Sequence, residues 1–135
     1  MSVELISARS RELLGDLRNL LLDQHKRLLD REGLAYEKTN GPVASPGALL
    51  ALVLDDAHFA WLKQISNLVV EIDEALAPRS KAGQSEADAL ESEAREIMGS
   101  SKAATDFQVR YNQAIQENPE MLDLHSRIRE LLETK

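Results

Sequence analysis

The chain has 135 residues, of which 43% are hydrophobic and 29% charged, so it is long enough for one globular domain with its own core. A formal net charge of −7 argues against binding to nucleic acid or to an anionic membrane surface, because both require a basic face. The absence of cysteine excludes disulfides, thiol catalysis and thiolate metal sites.

The N-terminal segment carries Glu4 and has no apolar stretch of the length found in a secretory signal. No run of about 18 apolar residues occurs in the sequence, so we expect no membrane span. Together these features favour a cytoplasmic protein.

The first predicted element is a long helix from about Val3 to Arg31, with Ser2 as its N-cap and Gly33 as its stop. One face of this helix is apolar and the opposite face is charged, which is typical of a helix that packs on a core. The apolar face comprises Ile6, Leu13, Leu14, Leu17, Leu20, Leu21 and Leu28. Residues 33–45 are rich in turn-forming residues, which predicts a loop.

A short apolar helix and a longer helix follow this loop. Ser45-Pro46 fits an N-cap and a first helical position, which predicts a helix over residues 46–54. Asp55 or Asp56 then caps a helix over residues 57–77. The pattern leaves open whether these are two helices or one helix with a kink.

The helix over residues 57–77 has an apolar arc wider than half its circumference, which predicts a central position with Trp61 in the core. Asp73 lies inside this arc and close to the helix C-terminus, where the helix dipole disfavours a negative charge. Two interpretations of Asp73 remain open. It is either a carboxylate at the edge of the bundle, paired with Arg79 or Lys81, or a buried carboxylate that marks a functional site.

Residues 78–84 are predicted to link this helix to the next. Ser85 and Asp88 fit a weak capping box, in which the side chains of the first and fourth residues cap the helix start. Gly99 is expected to end the helix that begins there.

Ser100 or Ser101 is the predicted cap of the following helix, which extends to about Glu117. Its expected inward face consists of Ala104, Phe107, Tyr111, Ala114 and Ile115. Asn118-Pro119 combines a capping residue with the residue favoured at the first helical position, so the last helix should begin there. The whole pattern predicts a single all-α domain over residues 1–135. Its architecture is an up-and-down-like bundle of four long helices plus one or two short helices.

The three histidines, His25, His58 and His125, all fall on apolar faces of predicted helices, where they could bind a transition metal if they converged with a carboxylate. The spacing argues against such a site, because no Glu precedes a histidine by three residues and no His-x-x-x-His occurs. Asp55 precedes His58 by three residues, but Asp55 is better explained as a helix cap. We therefore expect neither a metal ion nor a cofactor.

Two Glu-x-x-Glu pairs, Glu71 with Glu74 and Glu93 with Glu96, resemble the paired motifs of all-α nucleotide pyrophosphohydrolases. In that family the carboxylates hold Mg²⁺, so the resemblance would imply a hydrolytic enzyme with a magnesium cofactor. The likeness extends over these few residues. Glu71 and Glu74 lie on the solvent side of their predicted helix, and the second pair lacks the Asp that follows in the family motif.

No phosphate-binding loop and no G-x-S-x-G motif occur in the sequence. We therefore expect a non-catalytic interaction or regulatory protein. Apolar residues at the margins of their faces favour a homodimer, and these residues are Leu20, Leu22, Leu29, Val109 and Leu124. The alternative is a small ligand-binding or hydrolytic enzyme with a pocket near Asp55, Asp56, His58 and Trp61. The candidate site residues are Asp55, Asp56, His58, Trp61, Asp73, His25 and His125.

Overall fold

The computed structural model describes residues 5–42, 45, 47–48, 51, 59–99 and 105–133. The secondary structure in these ranges is helical and contains no strand, which confirms the predicted all-α class. The described helices are α1 (Ala8–Asn40), α2 (Lys63–Leu76), α3 (Gln84–Met98), α4 (Asp106–Gln116) and α5 (Pro119–Glu133). Residues 47, 48 and 51 are also helical. The rest of the helix predicted over residues 46–54 lies outside the described ranges.

Helix α1 begins at Ala8, several residues later than predicted, because Ser7 caps it. The Ser7 hydroxyl accepts a hydrogen bond from the backbone N–H of Ser10 at 3.1 Å, which satisfies one of the free N–H groups of the first turn. The predicted cap, Ser2, lies outside the described residues.

The prediction that Gly33 ends α1 is wrong, and so is the loop predicted from residue 33, because the helix continues to Asn40. A glycine inside a helix costs only about 1 kcal/mol, and packing can offset that cost. Tyr36 supplies such packing, since its ring lies 5.7 Å from the ring of Phe59. The helix ends at Gly41, where φ is 86° and the backbone N–H donates to the Glu37 carbonyl oxygen at 2.9 Å.

Helix α2 begins at Lys63, and a 3₁₀ turn over Ala60–Leu62 precedes it directly. The predicted helix over residues 57–77 is therefore shorter, and its first described turn is wound more tightly. The segment between α2 and α3 covers residues 77–83.

Helix α3 starts one residue before Ser85, so the predicted capping box is replaced by another cap. Gly83 occupies the N-cap position, and its backbone N–H donates to the Glu86 carboxylate at 2.8 Å. This bond lowers the pKa of Glu86, and hydrogen bonds from the backbone N–H of Glu86 itself and from the Ser85 hydroxyl lower it further. The helix ends before Gly99, as predicted.

Helix α4 begins at Asp106, with Thr105 as its cap. Thr105 and Gln108 bond reciprocally through their side chains and backbone N–H groups, which forms a full capping box. The predicted caps Ser100 and Ser101 lie outside the described residues. Helix α5 begins at Pro119 as predicted. The Asn118 side chain accepts from the backbone N–H groups of residues 120 and 121 at 2.9 and 3.2 Å.

The bundle forms around α1, whose 33 residues extend about 50 Å, whereas α2, α3 and α5 have 14 or 15 residues and extend little more than 20 Å. Helix α2 is antiparallel to α1, because Phe59 lies near Tyr36 and Asp73 pairs with Arg18. Helix α5 is also antiparallel to α1, because Glu120 at its start pairs with Arg27, whereas Leu131 near its end lies beside Leu20. The last turns of α1 therefore pass beside the connection between α4 and α5. No described helix is both long enough and apolar enough to cross a membrane.

Candidate functional site

Gln24 is the most completely buried polar residue of the described core, because α1 places it between buried leucines. Its Nε2 donates to the Tyr111 hydroxyl at 3.0 Å and to the Met121 carbonyl oxygen at 2.9 Å. The Tyr111 hydroxyl lies 2.9 Å from Nδ1 of His125. These groups, called the Gln24 network below, tie α1 to α4 and α5.

The acceptors in the Gln24 network fix the direction of each hydrogen bond. A backbone carbonyl can only accept, so the amide group that faces Met121 must be the NH₂ group of Gln24. The same NH₂ group donates to Tyr111, which leaves the tyrosine hydroxyl proton free to be donated to His125. His125 is then a neutral imidazole that accepts at Nδ1 and carries its proton on Nε2.

Burial keeps the members of the Gln24 network neutral. Desolvation raises the pKa of Tyr111, and this effect exceeds the opposing effect of the hydrogen bond from Gln24. Desolvation also lowers the pKa of His125, and the charge of the nearby Arg129 lowers it further. Neither group gains or loses a proton close to pH 7, so the geometry is that of a structural tie between helices.

Aromatic rings connect this network to the start of α2. Phe107 stacks on Tyr111 with ring centroids 5.5 Å apart, and Trp61 lies 5.7 Å from Phe107. Trp61 is only partly buried, at the edge of the core in which it was predicted to lie. Its Nε1 is nevertheless buried, and none of the residues that the structure describes accepts a hydrogen bond from it.

The predicted site residues that the structure describes do not come together in one site. Asp55, Asp56 and His58 lie outside the described residues. Asp73 is 48% exposed in its side chain and pairs with Arg18 at 2.8 Å, not with the predicted Arg79 or Lys81. Helix α1 crosses the C-terminal end of α2 at this point, which brings Arg18 within reach.

His25 is partly buried, and its Nε2 has no hydrogen-bond partner within the described part of the chain. Burial lowers the pKa of His25, so the ring is neutral near pH 7. His125 belongs to the Gln24 network instead. Among the described residues, no three His, Asp or Glu side chains are grouped as a metal ion would require.

The two Glu-x-x-Glu pairs lie on neighbouring helices, α2 and α3, and one glutamate of each pair meets one of the other. The carboxyl groups of Glu71 and Glu93 are close enough to share a hydrogen bond. Desolvation raises the pKa of Glu93, and the hydrogen bond to Glu71, the charge of Glu71 and the charge of Glu96 raise it further. The contact is therefore a repulsive pair of like charges when both groups are ionised.

A concave surface lies between the last turns of α1 and the connection from α4 to α5, and we call it the corner cleft. Its volume is about 500 Å³. It is lined by Arg27, Asp30, Arg31, Leu34, Ala35, Lys38, Ala114, Glu117, Asn118 and Met121. Ala114 and Met121 are buried and give the cleft an apolar floor, whereas its rim is charged.

Two ion pairs join the walls of the corner cleft. Arg31 donates from Nε and Nη2 to one carboxylate oxygen of Glu117, at 3.1 and 2.7 Å. Arg27 donates to the Glu120 carboxylate from Nη1 alone. These arginines hold the start of α5 against α1, so their charges are already neutralised by partners within the chain.

Three exposed side chains of the corner cleft follow one another along α1 at intervals of four residues. They are Asp30, Leu34 and Lys38, and we call them the α1 stripe. Leu34 is 63% exposed although it is apolar. Asp30 and Lys38 make no ion pair within the described ranges.

Sequence reasoning missed the corner cleft because it treated Gly33 as the end of α1 and assigned Leu34 and Lys38 to a loop. A signal was present: Asp30, Leu34 and Lys38 keep the spacing of one helix face across the glycine. Gln24 was also detectable, as a polar residue between Leu21 and Leu28 on the apolar face.

The chain matches no protein-family model, and neither a curated protein nor a solved structure is similar to it. The function is therefore argued from the geometry of this molecule.

Proposed function

We propose that the chain is a small, non-catalytic interaction or regulatory protein that forms a homodimer and uses the corner cleft as its interaction surface. The observation that carries this proposal is the position of Leu34, which stands exposed in the wall of a cleft with an apolar floor. Protein interfaces combine a desolvated apolar centre with a polar rim, and the cleft has this composition.

The apolar margins expected to drive self-association support this proposal only in part. Leu20, Leu29 and Leu124 are covered within the chain, whereas Leu22 and Val109 remain exposed. Exposed apolar residues scattered singly are common on monomers. The proposal therefore depends on the cleft, where an exposed leucine, an apolar floor and unpaired charges lie side by side.

The Gln24 network supports a structural role for the polar core. Its hydrogen bonds are made between helices, and Tyr111 and His125 stay neutral near pH 7. An acid–base catalyst would need a group that changes protonation near its working pH. The described polar groups of the core are therefore better suited to fixing the position of α5 against α1.

Sedimentation velocity over a hundredfold dilution series tests the proposal. The untagged chain is expected to shift from its own mass of 15.0 kDa toward twice that value as concentration rises. Hydrogen exchange should slow at high concentration in residues 27–38 and stay unchanged in the buried first half of α1. Leu34→Asp should reduce association, and Val70→Asp, at a similarly exposed apolar site on α2, should not. A mass and an exchange pattern independent of concentration would contradict the proposal.

A further inference from the structure

The α1 stripe has opposite charges at equal distances from its central leucine. Asp30 and Lys38 each lie four residues from Leu34, which is about 6 Å along the helix axis. They are therefore about 12 Å from each other, too far apart to form an ion pair within one helix. Both side chains are exposed, so each is free to pair with a residue of another molecule.

A second copy of the chain, related to the first by a two-fold axis at Leu34, gives both Asp30 and Lys38 a partner of opposite charge. In an antiparallel pair of identical helices, a residue four positions after the central residue faces the residue four positions before the central residue of the other copy. Lys38 of each copy then faces Asp30 of the other, and the two Leu34 side chains meet at the centre. A parallel pair would place like charges against each other, so the pattern selects the antiparallel arrangement.

The corner cleft offers apolar surface beside Leu34 against which a second helix can pack. Leu34 borders a floor formed by Ala114 and Met121, and Ala35 lies next to it on α1. Small side chains at a helix contact allow the axes to approach to about 8–10 Å. An incoming α1 can therefore cover Leu34 with its own Leu34 while its charged residues remain at the rim.

We propose that the corner cleft is occupied by α1 of a second copy of this chain, in an antiparallel two-fold pair centred on Leu34 with reciprocal ion pairs between Asp30 and Lys38. This inference rests on the proposed function and specifies its partner and its register. The net charge of −7 on each copy opposes association at long range. Physiological salt screens exposed charges beyond about 8 Å, whereas the reciprocal ion pairs act at contact distance.

Charge reversal along the α1 stripe tests the register. Asp30→Lys alone, or Lys38→Asp alone, places like charges at both symmetric contacts and is expected to weaken the dimer by about tenfold or more. The double variant exchanges the two charges and restores both ion pairs, so its dissociation constant should return to within about threefold of the original value. Sedimentation equilibrium at low and high salt measures these constants, and the differences should shrink at high salt.

Matched controls separate the register from the change in net charge. Glu74→Lys and Lys63→Asp alter the net charge by the same amounts at exposed positions on α2. Neither control is expected to change the dissociation constant by more than about threefold. Circular dichroism on every variant checks that the helices remain folded.

Cross-linking tests the two-fold axis without changing any charge. The chain has no cysteine, so Leu34→Cys introduces a single thiol. Facing Cα atoms on helices 8–10 Å apart lie about 3.4–5.4 Å from each other, which overlaps the range of about 4.4–6.8 Å that a disulfide spans. Mild oxidation should give a disulfide-linked dimer rapidly, whereas Val70→Cys and Val109→Cys, which are similarly exposed, should react much more slowly.

The outcomes distinguish this inference from the proposed function. A dimer that resists both charge reversals, together with Leu34→Cys that cross-links no faster than Val70→Cys, would overturn the register and leave self-association standing. A dimer that each single reversal weakens, but that the double variant does not restore, would overturn the reciprocal ion pairs. A chain that is monomeric at every concentration would overturn both the inference and the proposed function.

Discussion

The two halves of α1 belong to one continuous helix but have different surroundings. In the first half, Leu14, Leu17 and Leu21 are fully buried beneath α2 and α5. In the second half, Leu34 is mostly exposed, and the neighbouring residues on its face are charged. The first half supplies the core, and the second half presents a surface.

This difference shows that the length of a helix need not match the length of the core it serves. A few contacts hold the second half of α1: the tilted packing of Tyr36 on Phe59, the ion pairs of Arg27 and Arg31 with residues near the start of α5, and the glycine cap at Gly41. A rigid helix that extends beyond its own core is well suited to hold an interaction surface in place.

The largest effect on the free energy of unfolding should be seen when a leucine in each half of α1 is replaced by alanine. Leu17→Ala removes a fully buried side chain and should lower the free energy of unfolding by about 2–5 kcal/mol. Leu34→Ala removes an exposed side chain and should change the stability of the monomer by no more than about 0.5 kcal/mol. Urea unfolding at a concentration where the chain is monomeric measures both values. Equal losses would show that the two halves are buried alike and would remove the basis of the comparison.

A smaller effect on the free energy of unfolding should come from the Gln24 network, which holds the buried half of α1 in place. Tyr111→Phe removes the hydroxyl that joins Gln24 to His125 and leaves Nδ1 of the histidine buried without its partner. The free energy of unfolding should fall by about 1–3 kcal/mol, the cost of an unsatisfied buried group. Urea unfolding also gives this value. If the variant were as stable as the original chain, water would be reaching the network and its role as a tie would be wrong.

The fold class and some helix ends could be predicted from the sequence because local chemistry determines them. Asn118 and Pro119 define the start of α5 through a side-chain cap and a preset backbone angle, and both act within one turn. Gly99 was identified as the end of α3 for a similar reason.

Features that depend on tertiary contacts could not be predicted in this way. Gly33 carries a local signal to stop, but the packing of Tyr36 on Phe59 continues the helix beyond it. Asp73 was given partners nearby in sequence, whereas its actual partner, Arg18, is 55 residues away. The candidate site was missed for the same reason, since the corner cleft exists only when α1 extends past the start of α5.

The buried half should also make stability depend on pH, because it contains His25 and faces His125. Burial lowers the pKa of both histidines below the usual 6.5, so the unfolded chain binds more protons than the folded chain as the pH falls. Their contribution to stability is complete above about pH 6.5 and is lost as the pH falls through that value toward the lower folded pKa.

Urea unfolding at pH 7.5 and pH 5.5 measures this dependence, with the chain kept monomeric. Replacing both His25 and His125 by glutamine should flatten it, because glutamine does not titrate. The α1 stripe contains no histidine, so the charge-reversal variants should keep the same pH dependence as the original chain. A free energy of unfolding that is the same at pH 5.5 as at pH 7.5, or higher at pH 5.5, would contradict the burial of the two histidine rings.

The smallest effect should come from the carboxylate pair Glu71 and Glu93. Its contribution to the free energy of unfolding should change with pH in the direction opposite to that of the histidines. Burial and the neighbouring Glu71 raise the pKa of Glu93 in the folded chain, so the folded state binds its proton more tightly than the unfolded state does. The two carboxyl groups repel each other when both are ionised. Glu93→Gln removes the repulsion and lets the new amide donate to Glu71, which should stabilise the chain by about 0.5 kcal/mol or less.

Lowering the pH protonates Glu93 in the original chain, so its stability should approach that of Glu93→Gln as the pH falls toward the pKa of the carboxyl group. Glu74→Gln, an exposed glutamate of the same motif on α2, is the matched control and should leave stability unchanged. Thermal unfolding with and without Mg²⁺ completes the test. If Mg²⁺ stabilised the original chain and Glu93→Gln abolished that effect, the two glutamates would be acting together on a cation. The resemblance to pyrophosphohydrolase motifs would then reflect function and not only a shared spacing of surface charges.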